Sequence, residues 1–268
     1  MSSWNAAAPV NFERPPVVEV AVAIQFDGLS RLTTPHVGRF WETVADRFPR
    51  VEEFAPGSQQ RESFPFRKQQ PAQQLLLQLT GRAVVSRCWF VSEDDSQLIQ
   101  IQADRFVFNW RKRPEEAPYP RYTFVRQSFA DFFARFEAFV ARHGLGSIAP
   151  NQCEISYVNK IDGSRDLARV TTLWRGQQSD TFLPEIEATT ISTSYRIQDG
   201  VSDEPRGRLH AHIATGDAIT LRLTARGEPV PADTDGALAF LDLGHHWIVN
   251  GFVSVTTPEM HLEWGRIT

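Results

Sequence analysis

The chain has 268 residues, 41% of them hydrophobic and 11% aromatic, enough to fill the core of one large domain or two small ones, and its charge is too balanced for disorder. Its 28 Lys+Arg stand against 32 Asp+Glu for a net charge of −4, with 18 basic and 16 acidic residues in 1–150 and 10 and 16 in 151–268. Neither half has the basic excess of a general nucleic-acid binder, and no apolar run approaches the ~20 residues that span a bilayer.

The stretch 1–14 reads as a loose arm without the basic and apolar regions of a signal peptide. Paired prolines then open a strand over 15–26, with Val18, Val20, Val22 and Ile24 on one face. A helix follows from Thr34 as N-cap and Pro35 as its first residue. Its apolar stripe is Val37, Phe40, Trp41, Val44 and Phe48, and Pro49 ends it. Strands are expected over 73–79 and 82–91, and a hairpin over 96–110 turning at Ala103-Asp104, a poor pair for a primed turn. After a Pro-rich loop, Phe129, Phe132, Phe133, Phe136, Phe139 and Val140 mark a helix over 128–143, with Gly144 at its C-terminal cap.

The second half repeats this order. A strand over 151–162 is followed by a short helix over 166–176, strands over 188–197, 208–215 and 218–226, and a helix over 238–255. A last short helix runs from Thr257 as N-cap to Gly265. Strands come in runs rather than alternating with helices, which disfavours a parallel doubly wound fold.

Chemistry-bearing patterns are sparse. Five of the seven histidines fall in the last 59 residues. On the strand 208–215, His210 and His212 share a face with Thr220, Arg222 and Thr224 of the next strand, and an arginine there opposes a bound cation. His245 and His246 are about 100° apart on a helix and cannot aim at one site. The histidines therefore read as structural or surface groups, and no metal is expected. Cys88 and Cys153 form no C-x-x-C, which argues against a thiolate zinc site and for a reducing, cytoplasmic setting. Residues 92–96, with three adjacent carboxylates, are most simply a turn. No Walker A loop, G-x-G-x-x-G, nucleophile elbow or kinase signature occurs, and no cofactor is expected.

One basic, aromatic cluster stands out: Asn109, Trp110, Arg111 and Lys112 end a strand, and Arg121, Tyr122 and Arg126 follow. Such interleaving binds phosphate or stacks on bases, although Glu115 and Glu116 partly neutralise this run. Two readings stay open. Either Trp110 is core and Arg111 to Arg113 a solvated turn, or the strand end and its stiff loop form a binding hot spot at a sheet edge. His261 and Trp264 in the tail are the second candidate surface.

Four segments in order, PPVVEVAVAIQF, IQIQADRFVFNWRK with YPRY, CEISYVNKI and FLDLGHHWIVNGFVSVTTPEMHLEWGR, resemble a sporadically distributed prokaryotic family of uncharacterised proteins of about this size. The N-W-R-K and T-T-P-x-x-H-x-x-W-G stretches are the most specific parts. The resemblance implies no activity and no catalytic residues. A patchy distribution implies an accessory role, such as in a mobile defence or toxin-control locus.

The expected architecture is α+β: two similar β-α-β(n)-α units over 15–148 and 149–268, each a curved antiparallel sheet covered by a long helix, or one continuous domain. The expected function is a cytoplasmic binding or scaffolding module whose partner is another protein or a second copy, with no membrane. The alternatives are a helix-grip-like cavity protein that binds or converts a small molecule, and a nucleic-acid-binding accessory protein.

Overall fold

The computed structural model describes residues 10–65, 85–114, 117–162, 166–174 and 186–267. In chain order its elements are β1 (Val17–Phe26), α1 (Thr34–Glu42), β2 (Arg50–Phe54), β3 (Arg87–Val91), β4 (Gln97–Gln102), β5 (Arg105–Arg111), α2 (Arg121–Arg142), β6 (Pro150–Ile161), α3 (Leu167–Val170), β7 (Thr190–Ile197), β8 (Gly207–Ala214), β9 (Ile219–Gly227), α4 (Thr234–Val255) and α5 (Pro258–Glu263). The strands join in the order β2-β3-β4-β5-β1-β6-β9-β8-β7, and β2/β3, β3/β4, β4/β5 and β7/β8 pair antiparallel. The fold is α+β, built on a large antiparallel sheet, as expected. Among the described residues no helix is long and apolar enough to cross a membrane.

The chain makes two compact units. One holds residues 21–154 and 227–241; the other holds 1–20, 155–226 and 242–268. In the first, period-two alternation sends Phe90, Ile99, Ile101, Phe106 and Phe108 to one face of the sheet, all essentially inaccessible. The phenylalanine stripe of α2 meets that face: Phe129, Phe133 and Phe136 lie 5.9, 5.5 and 5.4 Å from the Phe106 ring, and Phe132 stacks 6.0 Å from Phe108. Phenylalanine suits this role because it fills volume without a polar atom to satisfy.

The hairpin turns at Ala103-Asp104 as expected, with Gln102 opposite Arg105. Its unfavourable turn pair is held from outside: Phe26 N–H donates to Asp104 O and Leu29 N–H to Ala103 O, both at 2.9 Å. Other expectations need correction. The first helix is capped by Thr33, not Thr34, and ends at Glu42 rather than Phe48. The Thr43 hydroxyl donates to Phe40 O at 2.7 Å, and irregular turns carry Val44 and Phe48 into the core at nearly helical spacing. α2 starts at Arg121, seven residues before the expected start, so Arg121, Tyr122 and Arg126 are helical rather than in a loop. β2 was not anticipated; all five of its residues are exposed and carry no apolar alternation to read. The short helix of the second half is only Leu167–Val170, within an expected span that runs past the described residues. The expected strand 73–79 lies outside the described residues, as do 82–84 and Glu115 and Glu116.

In the second unit the tail is well tied. Phe12, within the stretch read as a loose arm, pairs with Arg266, and Glu13 N–H and Arg14 N–H donate to Gly265 O and Trp264 O at 2.9 and 3.0 Å. α5 starts as expected, with the Thr257 hydroxyl accepting from Met260 N–H. Arg169 of α3 reaches across to Glu259 and Glu263 of α5, each at 2.7 Å.

Candidate functional site

The second face of the sheet in the first unit sets polar residues among the buried Val91, Leu98 and Val107. By the observed register it carries Arg87 and Trp89 of β3, Gln100 and Gln102 of β4, and Arg105, Asn109 and Arg111 of β5. Gln25 of β1 and Gln152 of β6 extend the same set. Gln25, Gln102, Asn109 and Gln152 are only 3%, 4%, 4% and 2% exposed. Buried amides are expensive unless their hydrogen bonds are met, so their partners are informative.

For Gln25, Gln102 and Gln152 they include main-chain groups of one segment. After β2 the chain crosses this face, and side chains at four strand ends grip its main chain. Gln102 holds both groups of Gly57: its Oε1 accepts from Gly57 N–H and its Nε2 donates to Gly57 O, each at 3.1 Å. Arg105 Nη2 donates to Ser58 O at 3.0 Å and to Gln25 Oε1 at 2.8 Å. Gln25 Oε1 also accepts from Gln60 N–H at 2.9 Å, and Gln152 Oε1 accepts from Glu62 N–H at 2.8 Å. Asn151 Oδ1 accepts from Gln25 Nε2 at 2.9 Å and its amide donates to Asp27, which fixes which way the Gln25 amide points.

In strand order, Gln102, Arg105, Gln25 and Gln152 sit on the consecutive strands β4, β5, β1 and β6. Three strand spacings are about 14 Å, and five residue steps of extended chain reach at most about 17 Å. Residues 57–62 therefore cross the sheet nearly extended, held by their main-chain groups.

The predicted site residues divide. Asn109 lies on the polar face, where its Oδ1 accepts from Gln100 Nε2 at 2.8 Å. Trp110 points to the opposite face, buried, with its ring 5.4 Å from Tyr119. Arg111 returns to the polar face, where its guanidinium lies 5.2 Å from the Trp89 ring. Strand alternation thus separates Trp110 from Asn109 and Arg111. The expected sheet edge is also corrected, because β5 is interior, between β4 and β1. Lys112 is half-buried just past the strand. Arg121, exposed, opens α2 with φ of +75°, and Tyr122 beside it is half-buried. The carboxylate-rich turn meets the basic run: Asp95 pairs with Arg50 and Arg111 at 3.3 Å and with Arg113 at 3.5 Å.

His261 and Trp264 belong to the other unit and are buried there around Phe12. Phe12 lies 5.7 Å from the His261 ring and 6.2 Å from Trp264, and His261 Nε2 shares a hydrogen bond with the Thr256 hydroxyl at 2.8 Å. Burial, with Arg266 adding to it, holds His261 below the ordinary histidine range. His245 goes further: burial, opposed by Asp242 and aided by His246, lowers it to about 4, and its Nδ1 meets the Tyr157 hydroxyl at 3.0 Å. His210 and His212 each meet a serine of β7, Ser194 and Ser192, at 2.9 Å.

Among the described residues no three His, Cys, Asp or Glu side chains gather as a metal site would require. Both free thiols are buried. Burial, with Glu53 adding to it at Cys88, raises both above the ordinary thiol range, away from the activation a nucleophile needs. On the polar face the side chains hydrogen-bond the main chain of residues 57–62.

Sequence reasoning missed Gln25, Gln102, Arg105 and Gln152. The available signal was an amide set at the end of an otherwise buried strand, in AIQF, IQIQ and NQC. Comparison with protein-family models, curated proteins and solved structures gives no match in any of the three.

Proposed function

We propose that this chain is a protein-binding or scaffolding module that holds an extended polypeptide segment across its sheet, its partner being another protein or a second copy. The observation that carries this reading is the row of side chains on four consecutive strands, the buried Gln102, Gln25 and Gln152 with the half-buried Arg105, that hydrogen-bond main-chain groups of one segment. Side-chain amides that read a backbone give affinity without demanding a particular sequence, as strand-addition domains do by other means. In this reading the chain acts in the cytoplasm as an accessory of a mobile defence or toxin-control locus. Two free cysteines support the compartment, and the resemblance to a sporadically distributed family supports the role.

We also read the two halves as duplicated β-α-β(n)-α units, each with a sheet covered by its long helix. Support comes from the strand order. From the centre outward it runs β1-β5-β4-β3-β2 on one side and β6-β9-β8-β7 on the other, the same winding with one strand fewer among the described residues. α2 and α4 follow the last strand of each half, and both have 22 residues.

The test is cross-linking in the native host with tagged full-length chain. Wild type should capture a defined protein, or a second copy, linked near the clamp. Gln25→Leu with Gln152→Leu should lose it by roughly tenfold or more. Undiminished capture by the double variant would place the binding surface elsewhere.

A further inference from the structure

We infer that residues 57–62 are the resting occupant of a peptide-binding groove, exchangeable for an extended segment of a partner that presents the same main-chain groups. This rests on the protein-binding reading above and names the chemistry of its partner.

Three observations carry it. First, the buried sheet side chains and Arg105 hold this segment by main-chain groups, N–H at 57, 60 and 62 and C=O at 57 and 58, while its Arg61 side chain adds an exposed ion pair to Asp27 at 3.6 Å. Any chain with those groups in that spacing can make the same main-chain hydrogen bonds, and the ion pair it would forgo is exposed and worth little. Second, the groove does not require glycine at its tightest point. A Cβ built at Gly57 meets only Gln102 Oε1 at 3.7 Å and Arg87 Nη1 at 3.9 Å, ordinary contacts. Third, the present occupant leaves the groove incompletely satisfied. Gln102 uses both ends of its amide on Gly57, but Gln152 uses only its oxygen, and its Nε2 is buried with no acceptor. A buried donor without a partner costs free energy that a better-matched chain recovers. A partner segment that offers a carbonyl to Gln152 Nε2 therefore gains one hydrogen bond over residues 57–62.

The ligand class follows. It is an extended polypeptide stretch of about six residues with no proline at the positions matching 57, 60 and 62, because proline lacks the N–H the clamp accepts from. Occupancy by the chain's own segment lowers apparent affinity by the fraction of molecules that are open.

The probe is a labelled peptide of residues 52–63, EEFAPGSQQRES, titrated by fluorescence anisotropy into full-length protein. Wild type should bind it weakly. A Gln60→Pro, Glu62→Pro variant, whose own segment has lost two N–H donors, should bind roughly tenfold tighter or more. Adding Gln25→Leu and Gln152→Leu should abolish that gain, and a peptide with proline in place of Gln60 should not bind. The inference is overturned if the proline variant, native by near-ultraviolet circular dichroism, binds no tighter than wild type. It is equally overturned if the proline-substituted peptide binds as well. Should the variant lose its native spectrum, excess peptide is added to wild type instead. Faster hydrogen exchange at Gly57, Gln60 and Glu62 is then expected, and unchanged protection overturns the inference. A partner captured in the host through the clamp without peptide exchange would leave the protein-binding reading standing and remove only this one.

Discussion

At the scale of single residues, two positions make sharp predictions. His245 is half-buried against Tyr157, and its folded-state pKa of about 4 lies below the ordinary histidine value. The unfolded chain therefore binds this proton first as pH falls. The contribution is fully present above pH ~6.5, drains away between ~6.5 and about 4, and changes no further below that. Allowing for partial solvent screening, about 2 kcal/mol is at stake. Wild type should melt markedly earlier at pH 5 than at pH 7, and His245→Phe should flatten that difference; an equal slope in both proteins would show that His245 does not govern it. The second position is Gly236, in the first turn of α4. A Cβ there would sit 1.9 Å from Pro231 O and 2.7 Å from Pro231 N, main-chain atoms that cannot swing aside. Gly236→Ala should cost about 3 kcal/mol in denaturant melts, as overpacking against backbone does.

At the scale of elements, the phenylalanine stripe of α2 is the firmest part of the first unit. Phe136 is inaccessible to solvent and touches Phe26, Phe40 and Phe106 on three different elements. Phe136→Ala should cost about 3–5 kcal/mol by urea denaturation; a loss under ~1 kcal/mol would mean the neighbouring rings close the gap freely. This stripe was legible in the sequence because six large apolar residues at helical spacing leave only one face to bury. The start of α2 was not, since Arg121 to Gln127 add only Phe124 and Val125 to that spacing. The end of α1 was hidden for the opposite reason: Val44 and Phe48 keep nearly helical spacing after the helix has given way to turns. The α5 cap was readable from Thr257 and Pro258 alone, because N-capping is a local interaction.

At the scale of the whole molecule, the α+β class followed from runs of strands between two long helices, whereas the clamp did not follow from any local pattern. Gln25, Gln102 and Gln152 lie 50 or more residues apart, and each alone reads as one polar position in a strand. Only strand order and register set them side by side, and residues 57–62 have no periodicity to mark them as their occupant. The N-W-R-K run drew notice because its residue types are conspicuous, yet alternation sends Trp110 to the core. The conspicuous tail residues His261 and Trp264 likewise pack into the second unit. The central claim is that buried side chains of the sheet hold an extended chain by its backbone. Hydrogen exchange at Gly57, Gln60 and Glu62, followed residue by residue, tests it most directly. All three amides should be protected in wild type, with Gln25→Leu releasing Gln60 first and Gln152→Leu releasing Glu62 first. Amides that exchange at unprotected rates in wild type, or that ignore both substitutions, would contradict it.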